Sequence, residues 1–185
     1  MAVVWDGRTI IETERLVLRT FRESDLPEFG VFHADPAFMQ YIGGRVLPRG
    51  ITDGIAAGAQ AAFASTGVGK IAVERKADGA FLGMAGLSVE DWYPDDLEVG
   101  WRIGRRYWGQ GYASEAGAAW VRHAFEVLDA PRVISVADVP NRRSIAVMER
   151  IGLRLDHEAE LRDEFGIFAA VIYTIDNETW RAQSR

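Results

Sequence analysis

The sequence predicts a mixed α/β domain (α+β in its strand order) on one mixed sheet of about six to seven strands flanked by about four helices. Three observations predict it. The segments read in the order β, α, α, β, β, β, α, β, α, β, β, with hairpins in the first half and a strand–helix–strand crossover in the second. Residues 97–103, LEVGWRI, alternate with a period of two. The chain has 185 residues, 48% of them hydrophobic, which suits one core and argues against disorder.

The elements follow in chain order. Residues 1–9 read as a loose tail, ahead of a core spanning about residues 12–176. Residues 15–20, RLVLRT, are alternating and branched, hence a strand. Asp25, Pro27 and Glu28 form a helix start, with Asp25 as cap. That helix carries Leu26, Phe29, Phe32 and His33 on one side and stops before Asp35-Pro36. Residues 43–54 are broken by Gly and Pro and read as loop; residues 51–64 are Ala-rich and helical, with Gly58 a weak point. Strands at 70–75 and 81–89 flank the turn Lys76-Ala-Asp-Gly79, a hairpin with Asp-Gly at its tip. Residues 113–128 hold Ala116, Ala119, Trp120, His123, Ala124 and Val127 at three-four spacing, a helix with one apolar face. Residues 133–137 form a short buried strand. Asn141 caps a helix that Gly152 stops, and strands at 155–161 and 167–175 close the chain.

Composition narrows the function. The net charge of −6 lacks the dominant basic face of a non-specific nucleic-acid binder. It repels anionic membranes and tolerates cationic substrates. The absence of cysteine excludes disulfides, Cys-ligated metals and a Cys nucleophile, and suits a reducing cytosol. No signal segment and no apolar stretch of about 18 residues is seen, so a soluble cytoplasmic protein is expected. His33, His123 and His157 are scattered, with no H-x-x-x-H pair, so no metal is expected. No G-x-S-x-G elbow supports a hydrolase.

The chemistry concentrates in residues 105–114, RRYWGQGYAS, between the strand at 97–103 and the long helix. Gly109 and Gly111 let the backbone approach a ligand closely. The helix that follows offers unpartnered amides and the positive end of its dipole, which suits phosphate. Arg105 and Arg106 add cationic side chains, while Tyr107 and Trp108 pack the turn or a ligand. The alternative is an ordinary Gly-rich turn. A Walker loop is excluded because no Gly-Lys-Ser/Thr follows. A dinucleotide fingerprint is a near miss, with Ser114 where a third glycine belongs.

Arg106-x-x-Gly109-x-Gly111 resembles the acyl-CoA pyrophosphate loop of the GNAT superfamily of N-acetyltransferases. Residues 13–19, TERLVLR, residues 35–43, DPAFMQYIG, the strand segment Glu98-Val-Gly-Trp101 and residues 140–153, PNRRSIAVMERIGL, resemble its RimJ/RimL-type branch. The resemblance implies a GNAT fold with acyl-CoA in a splayed cleft between the fourth and fifth strands, here residues 97–103 and 133–137. It implies an acetyl-CoA-dependent N-acetyltransferase whose acceptor is a protein N-terminus or a small-molecule amine.

It also implies roles. Trp101, Arg102 and Ile103 meet the pantetheine arm. Arg106, Trp108, Gly109, Gln110, Gly111, Tyr112, Ala113 and Ser114 meet the pyrophosphate, and Asn141 contacts the arm. A bulge is expected near Gly100. An ammonium has no lone pair, so a base must first take its proton. Glu98, on the polar face of the cofactor strand, is the candidate; its alternative is a solvated strand glutamate. Amides near Trp101 and Arg102 donate to the oxyanion. Many relatives place a tyrosine on the Asn141 helix to serve the leaving thiolate; here that position is Met148, and Ser144 is expected to donate a hydrogen bond instead. Trp92 and Tyr93 are the expected substrate contacts, beside Glu90, Asp91, Asp95 and Asp96. Monomer and homodimer are both compatible. Two rival readings are a non-catalytic acyl-CoA-binding module and an NAD(P)-binding oxidoreductase.

Overall fold

The computed structural model describes residues 3–163 and 165–183. Its strands are β1 (Thr9–Glu12), β2 (Leu16–Arg19), β3 (Lys70–Arg75), β4 (Phe81–Glu90), β5 (Tyr93–Ile103), β6 (Arg132–Asp138), β7 (Arg154–Asp163) and β8 (Gly166–Asp176). Its helices are α1 (Leu26–His33), α2 (Pro36–Met39), α3 (Arg49–Thr66), α4 (Tyr112–Glu126), α5 (Arg142–Arg150) and α6 (Asn177–Gln183). The strands form one sheet in the order β1-β2-β3-β4-β5-β6-β8-β7. Every neighbouring pair is antiparallel except β5–β6, which is parallel because α4 carries the chain across between them.

Among the described residues the sheet has eight strands rather than six or seven, and there are six α-helices rather than four. The extra strand is β1, in part of what reads as a tail. Thr9 pairs with Arg19, the Asp6 carboxylate accepts from Thr20 Oγ1 at 2.6 Å, and Asp6 bridges to Arg22. Residues 1 and 2 of that segment lie outside the described residues. The extra helices are α2, which starts where Asp35 Oδ1 accepts from the Ala37 amide, and α6, where Asp176 does the same for Thr179. Both are one or two turns long, too short for a periodicity signal.

Asp25 does not cap α1 with its side chain. Its carboxylate is the bidentate partner of Arg19, at 2.7 and 2.8 Å, and Arg19 Nε also meets Glu74 at 2.8 Å. Arg19 is 1% exposed, so its charge is matched inside the core rather than at the surface. Leu16, Leu18, Phe21, Phe29, Ile71, Leu82 and Leu87 of the same core are fully buried, each contributing roughly 1.5–3 kcal/mol.

What positions the site is the parting of β5 from β6. They pair only at Leu97–Val133 and Glu98–Ile134. The Ser135 hydroxyl then donates to the Val99 carbonyl at 2.8 Å. Beyond that point β5 stays with β4 as far as Ile103, while β6 stays with β8 as far as Asp138. Each strand follows its antiparallel partner, and a cleft opens between them.

No bulge lies at Gly100. The β4–β5 register runs unbroken from Gly83–Ile103 to Ser88–Glu98 and shifts only between Ser88 and Glu90. Gly100 serves a close approach instead: a Cβ there would lie 2.6 Å from Lys70 Cε. β5 also begins earlier than the alternation indicates, at Tyr93, so Asp95 and Asp96 are strand residues.

Candidate active site

The parting of β5 and β6 opens a cavity of about 1390 Å³. That exceeds the roughly 300–1,000 Å³ of a site for one drug-sized ligand. It has room for an extended ligand, or for two ligands end to end. Glu98, Trp101, Arg102, Ile103, Trp108, the run from Gly109 to Ser114, Asn141, Ser144 and Trp92 all line it.

Two residues expected in the site are elsewhere. The 3-10 turn Arg105–Tyr107 directs the Arg106 guanidinium back to α1, where it meets Glu28 at 2.9 Å and stacks on Tyr107. Tyr93 does not line the cavity; its hydroxyl lies 2.9 Å from His157 Nε2 on β7. Trp92 sits in the turn between β4 and β5 and reaches the cavity, while Tyr93, the first residue of β5, is directed to β7.

One end of the cleft is built for an anion. Gly109 and Gly111 adopt φ of +75° and +83°, a region costly for residues with a Cβ. Gly111 is the N-cap of α4 and makes no side-chain capping bond, so the first amides of a 15-residue helix face the cleft uncapped. The loop is braced from behind by Arg15, which donates to the Gln110 carbonyl at 2.9 Å and pairs with Glu115 at 2.6 Å. Arg143 lies over the Trp108 ring at 4.5 Å, and Arg150 donates to Ser114 Oγ at 3.0 Å. These two arginines on α5 supply the cationic side chains here, in place of Arg106. Asn141 caps α5, its Oδ1 accepting from the Ser144 amide at 3.2 Å, and so fixes Ser144 on the cleft wall. Met148 is fully buried, so that position has no access to the cleft. The Trp101 ring packs on Gly117 of α4, where a Cβ would lie 3.2 Å from it.

The other end is acidic. Glu98 is 8% exposed. Its Oε2 accepts from Lys70 Nζ at 2.8 Å, and the Ser88 hydroxyl lies 3.0 Å away. Glu90 joins the group, with Oε1 at 2.7 Å from Ser88 Oγ and 3.5 Å from Lys70 Nζ. Burial pushes the Glu98 carboxyl up, but the Lys70 ammonium and the Ser88 hydroxyl outweigh it and hold the group below the ordinary carboxylate range. Glu98 is therefore ionised at neutral pH and is not a solvated strand glutamate. Asp96 is committed to Arg132, with Nε at 2.9 Å from Oδ1. Asp138, at the end of β6, is a further cleft carboxylate, held above the ordinary range by burial and by the charge of Asp163.

A wall of distant segments closes this end. Gly43, after α2, meets the Phe165 ring at the tip of the β7–β8 hairpin; a Cβ at Gly43 would lie 2.6 Å from Phe165 Cγ. Arg45 covers the same ring at 5.2 Å. Trp92 Nε1 donates to the Arg162 carbonyl at 2.7 Å, and the Trp92 ring meets Phe168. Arg142, Arg143 and Arg150 are expected from the sequence either to reach an anionic cofactor or to cover a helix, and Arg143 and Arg150 line the cleft; Phe165 lies in residues 162–166, one of the segments expected to build the acceptor pocket with residues 41–54 and 91–96. Lys70 and Asp138 are the main site residues beyond those expected, and neither carried a local signal.

Comparison with known proteins agrees with this geometry. The model of the acetyltransferase (GNAT) domain matches residues 15–154. The uncharacterized protein YkkB of Bacillus subtilis is 30% identical over 150 residues, 80% of this chain and 87% of that protein. The FsC-acetyl coenzyme A-N(2)-transacetylase of Aspergillus fumigatus is 44% identical over 59 residues, 32% of this chain and 25% of that protein. The crystal structure of an acetyltransferase from Agrobacterium tumefaciens superposes with a TM-score of 0.77 at 30% identity, covering 95% of this chain and 98% of that one.

Proposed function

The chain belongs to the GNAT acetyltransferase family and is an acetyltransferase of that fold, and from that premise we propose that it moves the acetyl group of acetyl-CoA to a primary amine by direct attack in a ternary complex. The acceptor is a protein N-terminal α-amine or a small-molecule amine, in the manner of the RimJ/RimL-type branch. The observation that carries this reading is one continuous cleft with an uncapped helix N-terminus at one end and an ionised, buried carboxylate at the other. The activity for which the A. fumigatus relative is named supports acetyl-CoA as donor and a nitrogen as acceptor. The eight strands share one sheet, which supports one catalytic domain.

The residues fit the donor. The α4 amides from Tyr112 to Ser114, with Arg143 and Arg150 beside them, hold the pyrophosphate. The β5 main chain from Trp101 to Ile103, left unpaired by β6, takes the pantetheine arm as an added strand would. The bound donor supplies an activated acetyl thioester.

The chain's own groups do the rest. Glu98 accepts the proton of the acceptor ammonium, directly or through water. With no bulge in β5, the Arg102 amide turns to β4, as the Gly104 amide does toward the Leu82 carbonyl, and only the Trp101 amide of the expected pair is left on the open edge to donate to the carbonyl oxygen as negative charge builds on it. Ser144, a much weaker acid than a thiol, donates a hydrogen bond to the departing sulfur. Glu90, Asp91 and Asp163 give the acceptor end a negative potential that draws a cationic amine. The Gly43–Phe165 contact closes the mouth over that end. This supports an acceptor that enters end-on with a single amine, and disfavours a side chain in the middle of a folded surface.

The test is thermal stability with acetyl-CoA, CoA, NADH and NADPH separately, followed by an amine panel read by free thiol. A ligand specific for the folded state adds about 2.7 kcal/mol at a hundredfold excess over its Kd. A shift with CoA compounds alone, and thiol release with an amine, is the expected result. A shift with a nicotinamide nucleotide instead would overturn the reading. CoA binding without turnover on any amine would favour the non-catalytic module.

A further inference from the structure

We infer that Lys70 is a self-acetylation site: with acetyl-CoA bound and no acceptor present, the enzyme acetylates its own Lys70 Nζ. This rests on the acetyl-CoA reading above and goes beyond it.

The argument begins with composition. The chain has two lysines, Lys70 and Lys76, against nineteen arginines. Arginine is the better partner for two carboxylates, because its planar fork pairs bidentately and never loses its charge. Yet the residue between Glu98 and Glu90 is one of the two lysines. What lysine offers there, and arginine cannot, is a nitrogen that becomes a nucleophile once it gives up a proton.

The sheet is cut to let that nitrogen arrive. Lys70 on β3 pairs with Gly86 on β4, and Gly86 pairs with Gly100 on β5. The three share one row across the sheet. At Gly100 a Cβ would lie 2.6 Å from Lys70 Cε and 3.1 Å from Nζ, whereas at Gly86 it would run into the β3 main chain, the Gly69 carbonyl oxygen and Lys70 Cα. Gly86 thus lets β3 approach closely, and Gly100 leaves the space in which the Lys70 side chain crosses from β3 to β5. It ends in the cleft, 2.8 Å from the carboxylate that serves the acceptor amine. An acceptor that gives its proton directly to Glu98 must occupy this same neighbourhood, and Gly100 directly precedes the main chain assigned to the thioester.

The step balances without an oxidant or reductant. The Lys70 ammonium gives one proton to Glu98. Its lone pair forms the N–C bond at the acetyl carbonyl carbon, a second proton leaves the nitrogen, and the C–S bond breaks. The thiolate leaves and takes up one of the two protons. The products are Nε-acetyl-Lys70, free CoA thiol and one proton. The new amide carries no charge, so Glu98 and Glu90 lose the ammonium between them.

Lys76 is a built-in control. It sits on the β3–β4 turn, meets Glu12 at 2.9 Å, and its side chain is 35% exposed against 19% for Lys70. Adventitious acetylation in solution favours the more exposed amine. The experiment incubates the purified full chain with acetyl-CoA alone, then maps the mass gain of an acetyl group by peptide mass spectrometry. Lys70 is expected to label at least about tenfold faster than Lys76, a barrier difference of about 1.4 kcal/mol. Gly111→Glu, which blocks the donor, removes label from Lys70 and leaves any background on Lys76. If Lys76 keeps pace, or if Lys70 stays free although acetyl-CoA raises the melting temperature, the inference is overturned while the proposed function stands. If acetyl-CoA does not raise the melting temperature at all, the proposed function fails and takes this inference with it.

Discussion

Glu98→Gln separates chemistry from binding. The substitution keeps the side-chain shape and the oxygen that faces Ser88 at 3.0 Å, but removes the charge that meets Lys70 at 2.8 Å. Lys70 keeps Glu90 at 3.5 Å, so the ammonium is not stranded. Breaking a fully buried pair costs about 3–5 kcal/mol; with a second carboxylate in place, the cost here is closer to the roughly 1–3 kcal/mol of a lost charged hydrogen bond. The variant therefore folds. Loss of a general base costs about 10²–10⁴ in rate, or about 2.7–5.4 kcal/mol of barrier. The donor end, from Gly109 to Ser114, is untouched. Initial rates of thiol release should fall by that factor at neutral pH while acetyl-CoA still raises the melting temperature. Stability adds a second readout. The folded carboxyl lies below its unfolded value, so its contribution is present above the unfolded pKa and is lost as pH falls through the folded one. Wild type and variant should converge in stability below that window and diverge above it. A rate within tenfold of wild type, with acetyl-CoA binding intact, would refute the assignment and direct the same test to Asp138→Asn.

The other outcomes concern the frame around that carboxylate. Gly111→Glu places an acid at the uncapped start of α4, at φ +83°; the melting-temperature shift with acetyl-CoA should disappear while the circular dichroism spectrum stays native. Asp25→Ala leaves the Arg19 guanidinium buried with only Glu74, and urea unfolding should show a loss of about 3–5 kcal/mol. Gly58→Ala lies on an exposed turn of α3 where a Cβ meets nothing within 4 Å, so stability should rise by about 0.5–1 kcal/mol in the same assay. Activity should not change, since α3 contributes no residue to the cleft.

The donor end was legible in the sequence because it is local. Gly109, Gly111 and the start of α4 lie within four residues, and the φ values they need are the values glycine alone adopts cheaply. The period-two run at 97–103 placed Glu98 on the polar side of a strand, and the strand sits there. Arg106 went astray because a 3-10 turn reverses its direction, and a tight turn has no periodicity to read. Asp25 went astray because a good capping residue was also the nearest carboxylate to a buried arginine. Bidentate pairing at 2.7 and 2.8 Å is worth more than one capping bond. β1, α2 and α6 were missed because four to seven residues fix too little pattern.

The acceptor end is assembled from segments distant in sequence; residues 41–54, 91–96 and 162–166 are expected there, but no local pattern shows how they meet. Phe165 reaches Gly43 only because the β7–β8 hairpin is carried back over the cleft by the pairing of β8 with β6. Lys70 reaches Glu98 only because three strands align Lys70, Gly86 and Gly100 in one row. In the sequence, Gly86 and Gly100 are weak points in two otherwise regular strands. In the sheet they are where a Cβ would collide with β3 or with the Lys70 stem. A strand glycine is costly, and these two serve different close approaches. At Gly86 it is the β3 main chain; at Gly100 it is an amine held 2.8 Å from the proposed base. Gly100 thus belongs to the chemistry of the cleft as much as to the packing of the sheet. Gly100→Ala should move Lys70 off Glu98 and release the carboxyl toward higher pKa, because burial then acts without the ammonium to oppose it. The acid limb of the rate profile should move up in pH; an unmoved limb would mean that Lys70 does not govern the base.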